Sequence, residues 1–228
     1  MEKKEISMQL YTTRHFQPYD TILKFLSDSG IVNIELFGLE SMNIDEFKSI
    51  MDQSNIISKS THVSYESLTD TNDIINRANK MNIKHVIVPA PPARKDAEFK
   101  NTFNMNEEEW MEFGKKLSSY VNIFEEAGLT LGYHNHSYEF KPLPSGKLPI
   151  ECMMNHNENL KFEIDLGWTI AGGGDPIPWI NKYSNKIIGC HLKDFYDQSK
   201  NLLEHEEQSA VGDGFIDWQT LITEVKKT

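Results

Sequence analysis

Six side chains that can hold a cation or carry a proton recur at one kind of position along this chain. Glu35, His62, His134, His136, Asp165 and His191 each stand at or near the C-terminal end of a short apolar run. In an extended strand successive side chains point to opposite faces. Ile34 and Leu36 then share one face, and Asn33 and Glu35 the other; Val63 opposes His62. Leu131 and Tyr133 oppose Gly132, His134 and His136, while Phe162, Ile164 and Leu166 oppose Glu163 and Asp165. In the last run Ile188, Cys190 and Leu192 oppose Gly189, His191 and Lys193. The apolar face belongs against helices, so the polar set points the other way and meets at one end of the strands. Buried charges are costly unless paired or bound to a metal. Imidazole with carboxylate suits Mn, Zn, Fe, Co or Ni better than Ca. Each residue also has a structural alternative: Glu35 can pair with Arg14 or Lys193, and His62 can bond a neighbouring strand's backbone. His85, near its strand's start, reads as structural, and His15, His156 and His205 as surface or loop residues.

These positions need a scaffold, and the chain's periodicity supplies one. Apolar runs at 6–11, 31–36, 55–63, 83–88, 129–135, 160–166 and 186–192 read as strands. Amphipathic stretches at 19–29, 43–53, 70–81, 107–127, 148–155, 176–183 and 217–227 read as helices. Gly30 and Gly128 are stop signals, Thr69 or Asp70 is a cap, and Glu107, Glu108 and Glu109 suit a helix N-terminus. Residues 93–105 form an insertion with little periodicity, and 193–214 a long polar loop. The run Gly172, Gly173 and Gly174 before Asp175 and Pro176 reads as a flexible loop ahead of a helix, with phosphate binding as the alternative. Strands alternating with helices imply parallel pairing with right-handed crossovers. An open doubly wound sheet and a barrel both fit, but the first turn has no GxGxxG. The count of seven units favours an α/β chain forming one (β/α)8 TIM barrel over 1–228, with the eighth strand missing. Barrel enzymes place their active groups at the C-terminal ends of the strands, where the six residues fall.

Composition narrows the function. With 23 basic and 34 acidic residues the net charge is −11, which argues against a partner that is a nucleic acid. No apolar run is long enough to span a membrane, and the opening MEKKEISMQL is too charged for a signal peptide. Two cysteines without a CxxC pair predict no disulfide scaffold and a reduced, cytoplasmic protein. Neither a GxSxG elbow nor a P-loop occurs. An unclosed barrel edge would favour a homo-oligomer.

Four later motifs carry a resemblance. The segment from Leu131 to Phe140, LGYHNHSYEF, is similar to the YHNHxxEF strand of sugar isomerase/epimerase-like proteins of the xylose-isomerase-like superfamily. FEIDLGW, ending at Trp168 and followed by Ala171 and Gly172, resembles their sixth strand; CHLKD, ending at Asp194, resembles their seventh. VGDGFIDW, from Val211 to Trp218, looks like the entry to their last helix, and Met8–Arg14 with Asn33–Leu36 match the first two strands. The resemblance implies one divalent metal ion, of the Mn, Zn, Co or Mg kind, held by a Glu on strand five, an acid on strand six, a His on strand seven and a Glu on strand eight. Carried over, Asp165 and His191 match. His134 stands where the strand-five Glu is usual, and the strand-eight Glu has no counterpart.

The implied reaction is isomerisation or epimerisation of a small-molecule sugar or sugar phosphate through an enediolate. A cation would polarise the carbonyl, a base would take the neighbouring proton and an acid would return it. Glu35, His136 and Glu139 are the catalytic candidates; His62, Trp168 and Lys193 would contact substrate; His134, Asp165 and His191 would hold the metal. A degenerate sugar-binding barrel and β-elimination from a keto-glycoside are the alternatives. Apurinic-site cleavage, as in the superfamily's DNA-repair branch, fits less: that branch has His where Trp168 stands.

Overall fold

The structure, a computed structural model, describes residues 6–16, 18–92, 105–202 and 207–228. The predicted insertion at 93–105, except Met105, and His205 lie outside the described residues. The first half of the chain runs β1 (Ser7–Gln9), α1 (Tyr19–Asp28), β2 (Asn33–Phe37), α2 (Ile44–Gln53), β3 (Ile57–His62), α3 (Thr71–Lys80) and β4 (His85–Val88). It continues through α4 (Glu107–Ser119), α5 (Val121–Glu126), β5 (Thr130–His134), α6 (Pro149–Met154), β6 (Lys161–Asp165) and α7 (Leu166–Ala171). The remainder is α8 (Pro176–Lys182), β7 (Ile187–His191), β8 (Asp194–Phe195), β9 (Gln208–Ser209) and α9 (Trp218–Val225).

The chain forms two compact units: Met1–Val88 with Asn122–Leu131, and Pro89–Val121 with Gly132–Thr228. In the first, β1 pairs with β2, β2 with β3 and β3 with β4, all parallel. The Thr130 N–H at the start of β5 donates to the Lys84 carbonyl at 2.9 Å. Its helices begin where short polar side chains cap them: the Asn43 side chain accepts from the Glu46 N–H, and that of Asp70 from the Asp73 N–H. Ile44, Phe47 and Met51 form the buried stripe of α2. In α1 only Leu23 and Leu26 are buried; Phe25, which shares their sequence neighbourhood, stands 67% exposed because adjacent helix positions lie about 100° apart.

In the second unit β5 pairs with β6 and β6 with β7, again parallel. The helix expected over 107–127 opens with a full capping box of Asn106 and Glu109 but is two segments. The Tyr120 N–H donates to the Leu117 carbonyl, a tighter turn, while the Ser119 hydroxyl donates to the Lys116 carbonyl. The strand expected over 160–166 stops at Asp165, whose side chain accepts the Trp168 N–H at 2.8 Å and starts α7. That helix was not expected from the sequence. The triple glycine after it is used in packing: a Cβ at Gly172 would collide with the Ser137 carbonyl oxygen. Within the predicted polar loop, β8 and β9 pair antiparallel. The expected apolar face of β5 and β6 is fully buried, with Leu131, Tyr133, Phe162 and Ile164 at 0% exposure, but β7 is half-buried at every position. Among the described residues of this unit, β6 is the strand paired with β7.

Candidate metal centre

Strand register builds the centre in the second unit. His134 on β5 lies opposite Glu163 on β6, and Glu163 lies opposite Gly189 on β7. A Cβ at Gly189 would sit 3.3 Å from Glu163 Oε1, so the missing side chain leaves a cradle for that carboxylate. Glu163 Oε2 is 3.2 Å from His134 Nδ1 and 3.2 Å from His191 Nε2. The two imidazole rings stand 4.4 Å apart, centre to centre. His134 and Glu163 are buried and His191 is half-buried. Each of the three offers a ligand atom, all within 4.8 Å of one another. Two imidazole nitrogens and a carboxylate oxygen form a donor set that suits zinc and its neighbours, and the buried carboxylate favours a positive charge at this point. These residues fit a divalent cation.

Strand alternation places Glu163 on this face, but its residue type and spacing alone assign it no role. Its one signal was its place two residues before Asp165; the β6 register shift between Phe162 and Glu163 and the gap above Gly189 are visible only in the fold. Asp165, the expected acid of strand six, lies opposite His191. Its Oδ1 is committed to the α7 N-terminus, and its backbone N–H and carbonyl bond the Asn135 side chain at 2.9 and 3.2 Å. Burial raises its pKa, and the charges of His191 and Lys193 offset part of that rise.

His136 follows the end of β5. Its ring stacks on Tyr138 at 5.6 Å, meets His134 edge-on at 5.1 Å and faces Trp168 at 6.1 Å. The backbone N–H of His136 donates to Glu139 Oε2 at 2.9 Å, and Tyr133 Oη donates to Glu139 Oε1 at 2.5 Å. Tyr133 is on the helix-facing side, packed on Phe113 of α4. Glu139 therefore belongs to the turn that follows β5, and burial pushes its pKa up to about 8. Lys193 Nζ stands 4.8 Å over the Trp168 ring.

Glu35 and His62 belong to the first unit. Glu35 Oε1 is 3.0 Å from His62 Nε2, and its Oε2 accepts from Ser60 Oγ at 2.7 Å. Gln9 Nε2 is 3.5 Å from His62 Nδ1. Arg14, which the sequence offers as a partner for Glu35, donates instead to the Tyr11 carbonyl and lies over the Tyr11 ring. His85 Nδ1 is 2.7 Å from Thr130 Oγ1, in keeping with a structural role.

A family model described as the xylose isomerase-like TIM barrel matches residues 9–228. The inosose dehydratase of Clostridium beijerinckii is 27% identical over 135 residues, covering 52% of this chain and 43% of that protein. The rhizopine catabolism protein MocC of Rhizobium meliloti is 23% identical over 132 residues, covering 53% and 40%. The chain thus spans less than half the length of these curated relatives. A sugar phosphate isomerase/epimerase from Parabacteroides distasonis superposes with a TM-score of 0.77 at 19% identity, over 100% of this chain and 84% of that one. The IOLI protein with a zinc atom gives 0.75 at 16%, over 98% and 84%. At such identities the structural likeness speaks for the fold alone.

Proposed function

Because the chain belongs to the family of xylose isomerase-like TIM barrels, we propose that it is a divalent-metal enzyme moving a proton next to the carbonyl of a sugar or sugar phosphate. The observation that carries this reading is the convergence of His134, Glu163 and His191 on one point beside His136, Trp168 and Lys193. A cation held by those three groups would polarise the substrate carbonyl as a Lewis acid. His136 is the proton-transfer group: its ring borders both His134 and Trp168, and its backbone is fixed by Glu139. The Lys193 ammonium donates to substrate oxygens or phosphate, and the Trp168 ring covers the apolar face of the sugar. Asp165 holds α7, and with it Trp168, in place. Within the first unit Glu35 keeps His62 oriented.

Isomerisation or epimerisation returns the proton to the substrate. Dehydration begins with the same abstraction and then expels a hydroxyl from the next carbon. The inosose dehydratase relatives favour this second reading. One experiment separates the two. The metal-loaded protein is incubated in D2O with inosose, ketohexoses and ketose phosphates, and carbon-bound protons are followed by NMR. Deuterium incorporation with an aldose or epimeric product supports isomerisation; loss of water from inosose supports elimination. His191→Ala and Glu163→Gln are expected to lose bound metal and exchange together. A protein that binds no metal and exchanges no proton in any of these compounds would overturn the reading.

A further inference from the structure

Asp194 follows Lys193 directly, is fully buried, and its carboxylate accepts five hydrogen bonds. Its Oδ1 accepts the N–H groups of Phe195 at 2.9 Å and Ile216 at 3.3 Å. Its Oδ2 accepts those of Gly212 at 2.9 Å, Gly214 at 3.3 Å and the Trp218 indole at 2.8 Å. Burial works to raise the carboxyl's pKa, but these donors outweigh it and hold the group below the usual range. A Cβ at Gly214 would collide with the Asp194 carboxylate, so the GDG turn is cut to fit it.

The two neighbours of Asp194 both touch α7. The Lys193 backbone lies where a Cβ at Gly167 would stand, and its ammonium sits over Trp168. The Phe195 ring is 6.2 Å from the same indole. The five-donor clamp thus fixes the backbone between two residues that frame Trp168. We propose that Asp194 is a positioning residue for Lys193, setting where the lysine stem leaves the backbone so that its ammonium stands over Trp168. The link to substrate rests on the reading of Lys193 given above; the link to geometry does not.

Asp194→Asn tests this sharply. Either oxygen, once replaced by an amide nitrogen, would face at least two N–H groups with a donor, so an isosteric change breaks the clamp. Trp218→Phe removes one donor and serves as the milder variant. The full chain, Asp194→Asn, Trp218→Phe, Lys193→Met and the Asp194→Asn/Lys193→Met double variant are compared by cobalt binding, by the Trp168 indole resonance and by turnover of inosose. All are expected to bind one cobalt ion. Asp194→Asn should move the Trp168 resonance and raise KM roughly tenfold with kcat within about threefold, and adding it to Lys193→Met should raise KM no further. Trp218→Phe should move the same resonance less, and it carries the comparison if Asp194→Asn does not fold. An unmoved Trp168 resonance, or a KM effect that adds in full to that of Lys193→Met, overturns the proposal. If the wild-type protein does not act on inosose, the dehydratase reading fails and the resonance alone decides.

Discussion

Glu139 has no solvent contact, and its oxygens accept from the Tyr133 hydroxyl and the His136 N–H. Burial lifts its pKa from 4.5 to about 8, so the folded state binds this proton more tightly than the unfolded chain. The stabilisation from the proton is complete below pH 4.5, fades as pH rises and is gone above about 8. Glu139→Gln copies the protonated form, with its oxygen toward His136 and its amide toward Tyr133, and does not titrate. Urea unfolding of both proteins between pH 5 and 9 should show the variant gaining on wild type as pH rises, by on the order of 2–4 kcal/mol. A difference that stays level with pH would mean Glu139 is ionised when buried. Glu163 lies between two imidazoles. Gly189→Ala should press its carboxylate out of line and weaken zinc binding about 10–100-fold in a competition titration with a chelator, with the fold retained. At this scale strand alternation put His134, Glu163 and His191 on one face from sequence. It could not tell which acid of the FEID run meets the imidazoles. That depends on a register shift in β6 and on what each carboxylate bonds.

The helices most legible in sequence are those whose caps are cheap to recognise. Asn43, Asp70 and Asp217 each stand just before an apolar stripe and each accept an N–H in the first turn. By contrast α7 is hidden: its cap, Asp165, also ends a strand, and Gly167 is a poor helix former. The reason for that glycine is tertiary, since the Lys193 backbone occupies the space a side chain would fill. Gly172 at the other end of α7 answers to the Ser137 carbonyl in the same way. Gly172→Ala should therefore destabilise the protein by about 1–3 kcal/mol although alanine is the better helix former. Thermal unfolding would register a lowered Tm; an unchanged or raised Tm would mean the turn after β5 gives way freely. The division of the expected 107–127 helix at Tyr120 is of the same kind, a local exchange of backbone bonds that periodicity does not record.

The seven parallel strands were readable from the alternation of periods, since strand and helix patterns differ in repeat, while the TIM-barrel architecture also needed the absence of GxGxxG, the count of units and the later motifs. How the chain partitions was not. The first compact unit takes Met1–Val88 and then Asn122–Leu131, a stretch that sequence order places after α4. That return carries Phe124, Leu129 and Leu131, all buried, and the Thr130 backbone and hydroxyl groups that bond Lys84 and His85. A peptide covering 1–88 lacks this stretch and leaves β4 without those bonds. A stable unit of its size already depends on nearly all of its apolar burial. The peptide alone is expected to show no cooperative unfolding by circular dichroism, and joining residues 122–131 to it through a short glycine linker should restore a sigmoidal urea transition. If 1–88 alone unfolds cooperatively, the contribution of β5 to this unit is dispensable and its strands hold by α1, α2 and α3 packing. If neither peptide folds, the unit needs the rest of the chain during folding, which the full protein's unfolding in one step would also reveal.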